Sequence, residues 1–266
     1  MKKLFTLLAC IGLFSSLISC DSDDPAKPNT FVLVHGAWQA PYVWQDVKTQ
    51  LEAKGQNVLI VELPAHGDDN TSPATVSIDA YRDKVVAAIN SVDGRVILVG
   101  HSLGGMVVSA VAESIPSKLE KLIYIGAFVP ANDQSLFDLA LQDAQSQLGA
   151  SLVLSEDQLT WDVKSENIIS IFCQDASTTK QQLMLTNYRS EPTIPFTNKV
   201  TLTTGNFGKV DKYYIHTALD NAVGMDLQNK MVTGAAIKHE YSINTGHSPF
   251  LSNPEGVTSL LLEIGG

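Results

Sequence analysis

The chain has 266 residues, 44% of them hydrophobic and 17% charged, which is enough apolar material for one large core carrying an insertion. Its 28 acidic residues outnumber the 18 lysines and arginines, and the formal net charge of −10 argues against nucleic acid or an anionic membrane as an electrostatic partner. Of the three cysteines, Cys10 and Cys20 lie close to the N-terminus; Cys173 is left alone in the body of the chain, where it has no partner for an internal disulfide and reads as a small buried apolar residue.

Met1-Lys2-Lys3 is a short basic start, and the apolar stretch from Leu4 to Ile18 is too short for a comfortable membrane span. It closes with Leu17-Ile18-Ser19-Cys20, which resembles the lipobox of bacterial lipoproteins. That resemblance implies a signal peptide over 1–19 and lipidation at Cys20. The protein is then expected to be exported and lipid-anchored in the cell envelope, on its periplasmic side or at the cell surface. Residues 20–29, acidic and Pro-containing, read as a solvated tether.

Beyond the tether, β-branched runs alternate with amphipathic segments. The predicted elements in chain order are strand Phe31–Val34, helix Gln45–Lys54, strand Val58–Val61, helix Ile78–Asn90, strand Val96–Val99, helix Ser102–Glu113 and strand Leu122–Ile125. After a long interruption come strand Lys212–His216, helix Met225–Met231, strand Lys238–Ile243 and helix Pro254–Ile264. Continuous apolar strands between helices predict an α/β fold with a mostly parallel, doubly wound sheet buried on both faces. The interruption, 131–200, is too long for an ordinary connection and is expected to be a mainly helical cap, with pieces such as Ser135–Ala144 and Thr178–Thr186; the core is then 30–130 and 201–266. A cap placed there covers the C-terminal ends of the strands, where open α/β sheets bind ligands.

Gly100-His101-Ser102-Leu103-Gly104 joins a predicted buried strand to a predicted helix. A serine on so sharp a turn projects its hydroxyl at a helix N-terminus, where backbone N–H groups stabilise negative charge. A serine hydroxyl is a weak nucleophile and needs a base, an acid that orients the base, and donors for the oxyanion. His247, in the loop Gly246-His247-Ser248-Pro249 after the last predicted strand, is the candidate base. Asp220, after the preceding strand, is the candidate acid, ahead of Asp133 and Asp226. The oxyanion donors are expected to be the N–H groups of Leu103, after the nucleophile, and Ala37, in the loop His35-Gly36-Ala37-Trp38. Gly36, Trp38, Phe128 and Trp161 are the candidate substrate-binding residues, with Trp38 and Trp44 read first as pocket wall or cap packing. His101 is expected to pack or hydrogen-bond beside the nucleophile, His66 to steady a loop near the pocket, and His216 and His239 to be structural. The chain contains no His-x-x-x-His, Cys-x-x-Cys or Gly-rich phosphate loop, so neither metal nor cofactor is expected.

Six segments in order, FVLVHGAW from Phe31, Trp44, VELPAH from Val61, LVGHSLGG from Leu98, LIYIGAFVP from Leu122, YIHTALD from Tyr214 and GHSPF from Gly246, the tryptophan apart, resemble the α/β-hydrolase superfamily, in the branch of plant methylesterases, hydroxynitrile lyases and bacterial serine esterases. The resemblance implies an α/β-hydrolase fold, the triad Ser102, Asp220 and His247, and a carboxylic-ester hydrolase acting on a small or medium, partly apolar molecule. The lyase members carry a lysine after the catalytic histidine, where this chain has Ser248. The same triad in a lactonase, thioesterase, C–C hydrolase or lyase is an alternative, as is a non-catalytic ligand-binding surface lipoprotein. Dehalogenases and epoxide hydrolases need a carboxylate where this chain has Ser102.

Overall fold

The computed structural model describes residues 28–266; the expected signal peptide, Cys20 and most of the tether lie outside the described residues. The first half of the core runs β1 (Thr30–Val34), α1 (Gln45–Ala53), β2 (Asn57–Val61), α2 (Ile78–Asn90), β3 (Val96–His101), α3 (Gly104–Ser114) and β4 (Leu119–Ile125). An insertion follows: β5 (Gln134–Ser135), α4 (Leu136–Ala140), β6 (Leu152–Leu154), β7 (Thr160–Val163), α5 (Ile168–Phe172), α6 (Thr178–Asn187), β8 (Glu191–Pro192), α7 (Ile194–Thr197) and β9 (Lys199–Val200). The core resumes with β10 (Lys212–Thr217), α8 (Met225–Gly234), β11 (His239–Ile243), α9 (Pro249–Ser252) and α10 (Pro254–Gly265).

Six core strands form one sheet in the order β11-β10-β4-β3-β1-β2, and every neighbouring pair is parallel. β3 is buried at every position, because helices cover both faces of the sheet. Burial of Val96, Ile97, Leu98 and Val99 contributes about 1.5–3 kcal/mol per side chain. From β1 the chain steps outward to β2 and then crosses to β3 on the other side. The crevice at that reversal lies outside the C-terminal ends of β1 and β3, and both lead directly into candidate site loops. Ser77 accepts the Ala80 N–H at the start of α2, and the Lys121 ammonium donates to the Ile264 and Gly265 carbonyls at the end of α10.

β4 and β10 are neighbours, with Leu122 paired to Lys212, so the intervening segment leaves and re-enters the sheet side by side. Besides the helices α4 to α7 it holds strands that the sequence did not announce: β6, β7 and β8 form an antiparallel sheet, and β5 pairs with β9. The helix expected over Ser135–Ala144 is only α4. A Ser135–Asp138 capping box starts it, and just beyond its end Asp143 accepts the N–H groups of Gln145 and Ser146, fixing a turn instead of another helical repeat. β6 and β7 are joined by a turn in which Gln158 takes φ +61. Among the described residues no helix is long and apolar enough to cross a membrane.

Candidate active site

Ser102 sits between β3 and α3 with φ +52, a left-handed conformation that a non-glycine residue adopts only under constraint. The constraint is close packing. A Cβ on Gly105 would lie 2.1 Å from the Phe128 carbonyl oxygen, and one on Gly36 would lie 2.7 Å from the Ser102 Cβ. Gly36, a candidate substrate-binding residue, therefore lets the β1 loop pack against Ser102 and is not itself among the residues lining the cavity described below.

Asp220 is fully engaged as an acceptor. Its Oδ1 takes the N–H groups of Ala222 (2.7 Å) and Val223 (2.9 Å), and its Oδ2 takes the Thr217 hydroxyl (2.7 Å) and His247 Nδ1–H (2.8 Å). The last bond fixes the His247 tautomer and leaves Nε2 with its lone pair. The His247 carbonyl accepts from His101 Nε2–H at 2.7 Å, and the two rings are 4.6 Å apart, so the residue before Ser102 holds the histidine loop. Burial, reinforced by His247 and His35, pushes the His101 pKa well below the usual range and keeps that ring neutral. From the insertion, Asp175 accepts the Gly246 N–H at 2.8 Å. Among the described residues Ser102 makes no side-chain hydrogen bond to His247. Such contacts are commonly loose before substrate arrives.

The other candidate acids lie elsewhere. Asp133 is exposed and pairs with Lys199, and Asp226 stands in the first turn of α8. His216 pairs with Glu240, and His239 stacks on Tyr213.

Ala37 and Leu103 are both buried, and among the described residues neither backbone N–H donates to a protein group. Buried N–H groups are almost always paired, so two orphans beside one serine hydroxyl mark a place prepared for an external acceptor. With Ser102 they open onto a cavity of about 380 Å³. The candidates Trp38, Phe128 and Trp161 are among the residues lining it, together with Leu136, Leu148 and Phe196, which the sequence did not single out. Its two acid–base or hydroxyl side chains besides Ser102 are occupied: Asp143 also takes the Gly224 N–H, and Ser146 donates to the Ala222 carbonyl.

An alpha/beta hydrolase family model matches residues 31–260. The chain belongs to the alpha/beta hydrolase family. Among relatives of this hydrolase, methylesterase 7 of Arabidopsis thaliana is 28% identical over 256 residues, covering 91% of this chain and 98% of that one. A chloroplastic relative from the same plant, also named as a methylesterase, is 29% identical over 253 residues; the match spans 91% of this chain and 65% of the longer relative. A crystal structure of a polyneuridine aldehyde esterase mutant superposes with a TM-score of 0.80 at 21% identity, covering 90% of this chain and all of that one.

Around Ser102, this alpha/beta hydrolase carries further buried histidines besides His247. His35 accepts the Leu63 N–H at Nε2 and donates from Nδ1 to the Gly36 carbonyl; burial and the neighbouring His66 push its pKa down to about 3, so it is a neutral strut in the β1 loop. No set of three or more His, Cys, Asp or Glu residues among the described residues is arranged to hold a metal. Sequence reasoning missed the charged residues that the insertion brings to the site: Asp143 in the cavity lining, Asp175 on the Gly246 N–H, and Glu191 of β8, which is fully buried and accepts the Trp38 N–H.

Proposed function

We propose that the chain is a serine carboxylic-ester hydrolase that takes neutral, largely apolar esters of small or medium size. The observation that carries this reading is the pair of unpartnered N–H groups at Ala37 and Leu103, set with Ser102 at one cavity. The methylesterase names of the relatives support a short alcohol as leaving group. Ser102 Oγ attacks the ester carbonyl as His247 Nε2 takes its proton, and Asp220 stabilises the resulting imidazolium. The tetrahedral oxyanion accepts from the Ala37 and Leu103 N–H groups. Collapse breaks the ester C–O bond, and His247 returns the proton to the leaving alcohol. Water, deprotonated by His247, then cleaves the acyl-enzyme and releases the acid and free Ser102.

The walls favour an apolar acyl group, because no lysine or arginine lines the cavity and its Asp143 and Ser146 side chains are already bonded within the protein. A fluorophosphonate probe is expected to attach covalently at Ser102, read by peptide mass spectrometry. Neutral model esters are expected to be turned over at least about 10-fold more efficiently than isosteric esters carrying a second carboxylate. Attachment elsewhere, or preference for the anionic esters, would sink the reading.

We further propose that the enzyme is exported and tethered through a lipidated Cys20, on the strength of the Leu17-Ile18-Ser19-Cys20 sequence. Cys20→Ala should move the protein from the membrane fraction to the soluble fraction or stall it as precursor; unchanged membrane recovery and processing would contradict the tether.

A further inference from the structure

Trp38 is held by the insertion at several points. Its N–H donates to Glu191 Oε2 at 2.8 Å, its indole N–H donates to the Trp161 carbonyl at 2.9 Å, and its ring packs on Phe172 and Phe196. The residue takes φ +58, a left-handed conformation that costs a tryptophan free energy and persists only where its surroundings impose it. Trp38 directly follows Ala37, so whatever fixes the Ala37–Trp38 peptide fixes the turn that presents the Ala37 N–H to the cavity.

Glu191 is completely buried, and among the described residues it hydrogen-bonds to none of Ser102, Asp220 and His247. Besides the Trp38 N–H, its Oε2 accepts His66 Nε2–H at 2.7 Å, while Tyr81 OH stands 3.5 Å from Oε1. His66 Nδ1 faces the Pro64 carbonyl at 3.0 Å. Both ring nitrogens thus face acceptors, which a ring carrying both protons satisfies. Burial opposes that charge, but the Glu191 carboxylate and the two hydrogen bonds outweigh it and raise the His66 pKa. A buried ion pair is an expensive way to support a wall residue such as Trp38, and the cavity is lined elsewhere by leucine and phenylalanine.

We propose that Glu191 is a positioning residue: supplied by the insertion and anchored by His66, it holds the Ala37–Trp38 turn so that the Ala37 N–H meets the oxyanion. The inference rests on the serine-hydrolase reading and assigns the cap a part in catalysis beyond walling the pocket. Binding of the ground-state ester uses the apolar walls and is largely indifferent to this bond. Stabilisation of the tetrahedral state depends on it, because displacement of a donor by about 1 Å lowers rate by up to about 10²-fold.

Three substitutions separate acceptor position from charge. Glu191→Gln keeps an oxygen acceptor at the same reach without charge; Glu191→Asp keeps the charge and withdraws the acceptor by one methylene; Glu191→Ala removes both. Steady-state kinetics on a neutral ester, affinity for a trifluoromethyl ketone that mimics the tetrahedral state, and Tm are read for each. Expected is a kcat within about 10-fold of wild type for Gln, and losses of about 10-fold or more for Asp and about 10²-fold for Ala. KM should stay within about 3-fold, and ketone affinity should fall in step with kcat. Asp retaining more activity than Gln, or a loss carried by KM with ketone affinity intact, overturns the proposal. If Ala does not fold, the Gln–Asp order alone decides. Failure of Ser102 labelling in the wild type instead refutes the serine-hydrolase reading on which the proposal stands, independently of how the variants rank.

Discussion

Ser102→Ala is expected to lower kcat on a neutral model ester by about 10⁴-fold or more and to abolish fluorophosphonate labelling. The methyl group has no lone pair to attack the carbonyl, and no neighbouring hydroxyl can replace it at the junction of β3 and α3. The Leu103 and Ala37 N–H groups remain, so substrate should still bind, with KM changed little. Stability should also change little. The side chain makes no hydrogen bond to His247, and the φ of +52 is imposed by the glycine-mediated packing around it, which alanine tolerates as well as serine does. Retention of wild-type turnover by the purified variant would end the nucleophile assignment.

Asp220→Asn should come close to that loss, about 10³–10⁴-fold in kcat, through a different atom. Asp220 Oδ1 takes two backbone N–H groups, so an asparagine keeps its carbonyl oxygen there and turns its NH₂ toward Thr217 and His247. His247 Nδ1 must then accept instead of donate. The proton moves to Nε2, the atom that should receive the Ser102 proton, and the base is lost while the shape of the site is kept. The expected signature is a large fall in kcat with Tm within a few degrees of wild type. A variant that keeps more than about a tenth of wild-type kcat would remove Asp220 from the triad, and NMR of the His247 ring nitrogens would report the tautomer directly.

The core was legible because its signals are local. Val96–Val99 is an unbroken aliphatic run, three of its four residues β-branched, leading into Gly100 and Ser102, and strand, turn and helix were each implied by residues within reach of one another. Asp220 and His247 were legible by position after successive strands. The insertion was not, because its strands are two to four residues long and acquire meaning only by pairing: Trp161 lies opposite Leu154 on one side and Glu191 on the other. A run such as Thr160–Val163 carries no periodicity that distinguishes it from a loop. Glu191 was hidden for the same reason. Its partners His66 and Trp38 are 125 and 153 positions away, and the only hint in the sequence is a lone carboxylate before Pro192 in a segment that ends up buried.

The side-by-side departure and return of the insertion, from β4 and into β10, has an evolutionary consequence. Pairing of those two strands is indifferent to the length or content of what lies between them, since lengthening a loop whose ends are already together adds little closure entropy. New pocket shapes are therefore reachable by exchanging this segment while the residues that make and break bonds stay on inherited strands. Beyond the bond that Asp175 makes to the Gly246 N–H, the exchange has a toll: an incoming segment must deliver an acceptor to the backbone of Trp38. Lineages that lost that acceptor would keep a folded, ligand-binding protein with little turnover, a short route from enzyme to receptor on an unchanged scaffold.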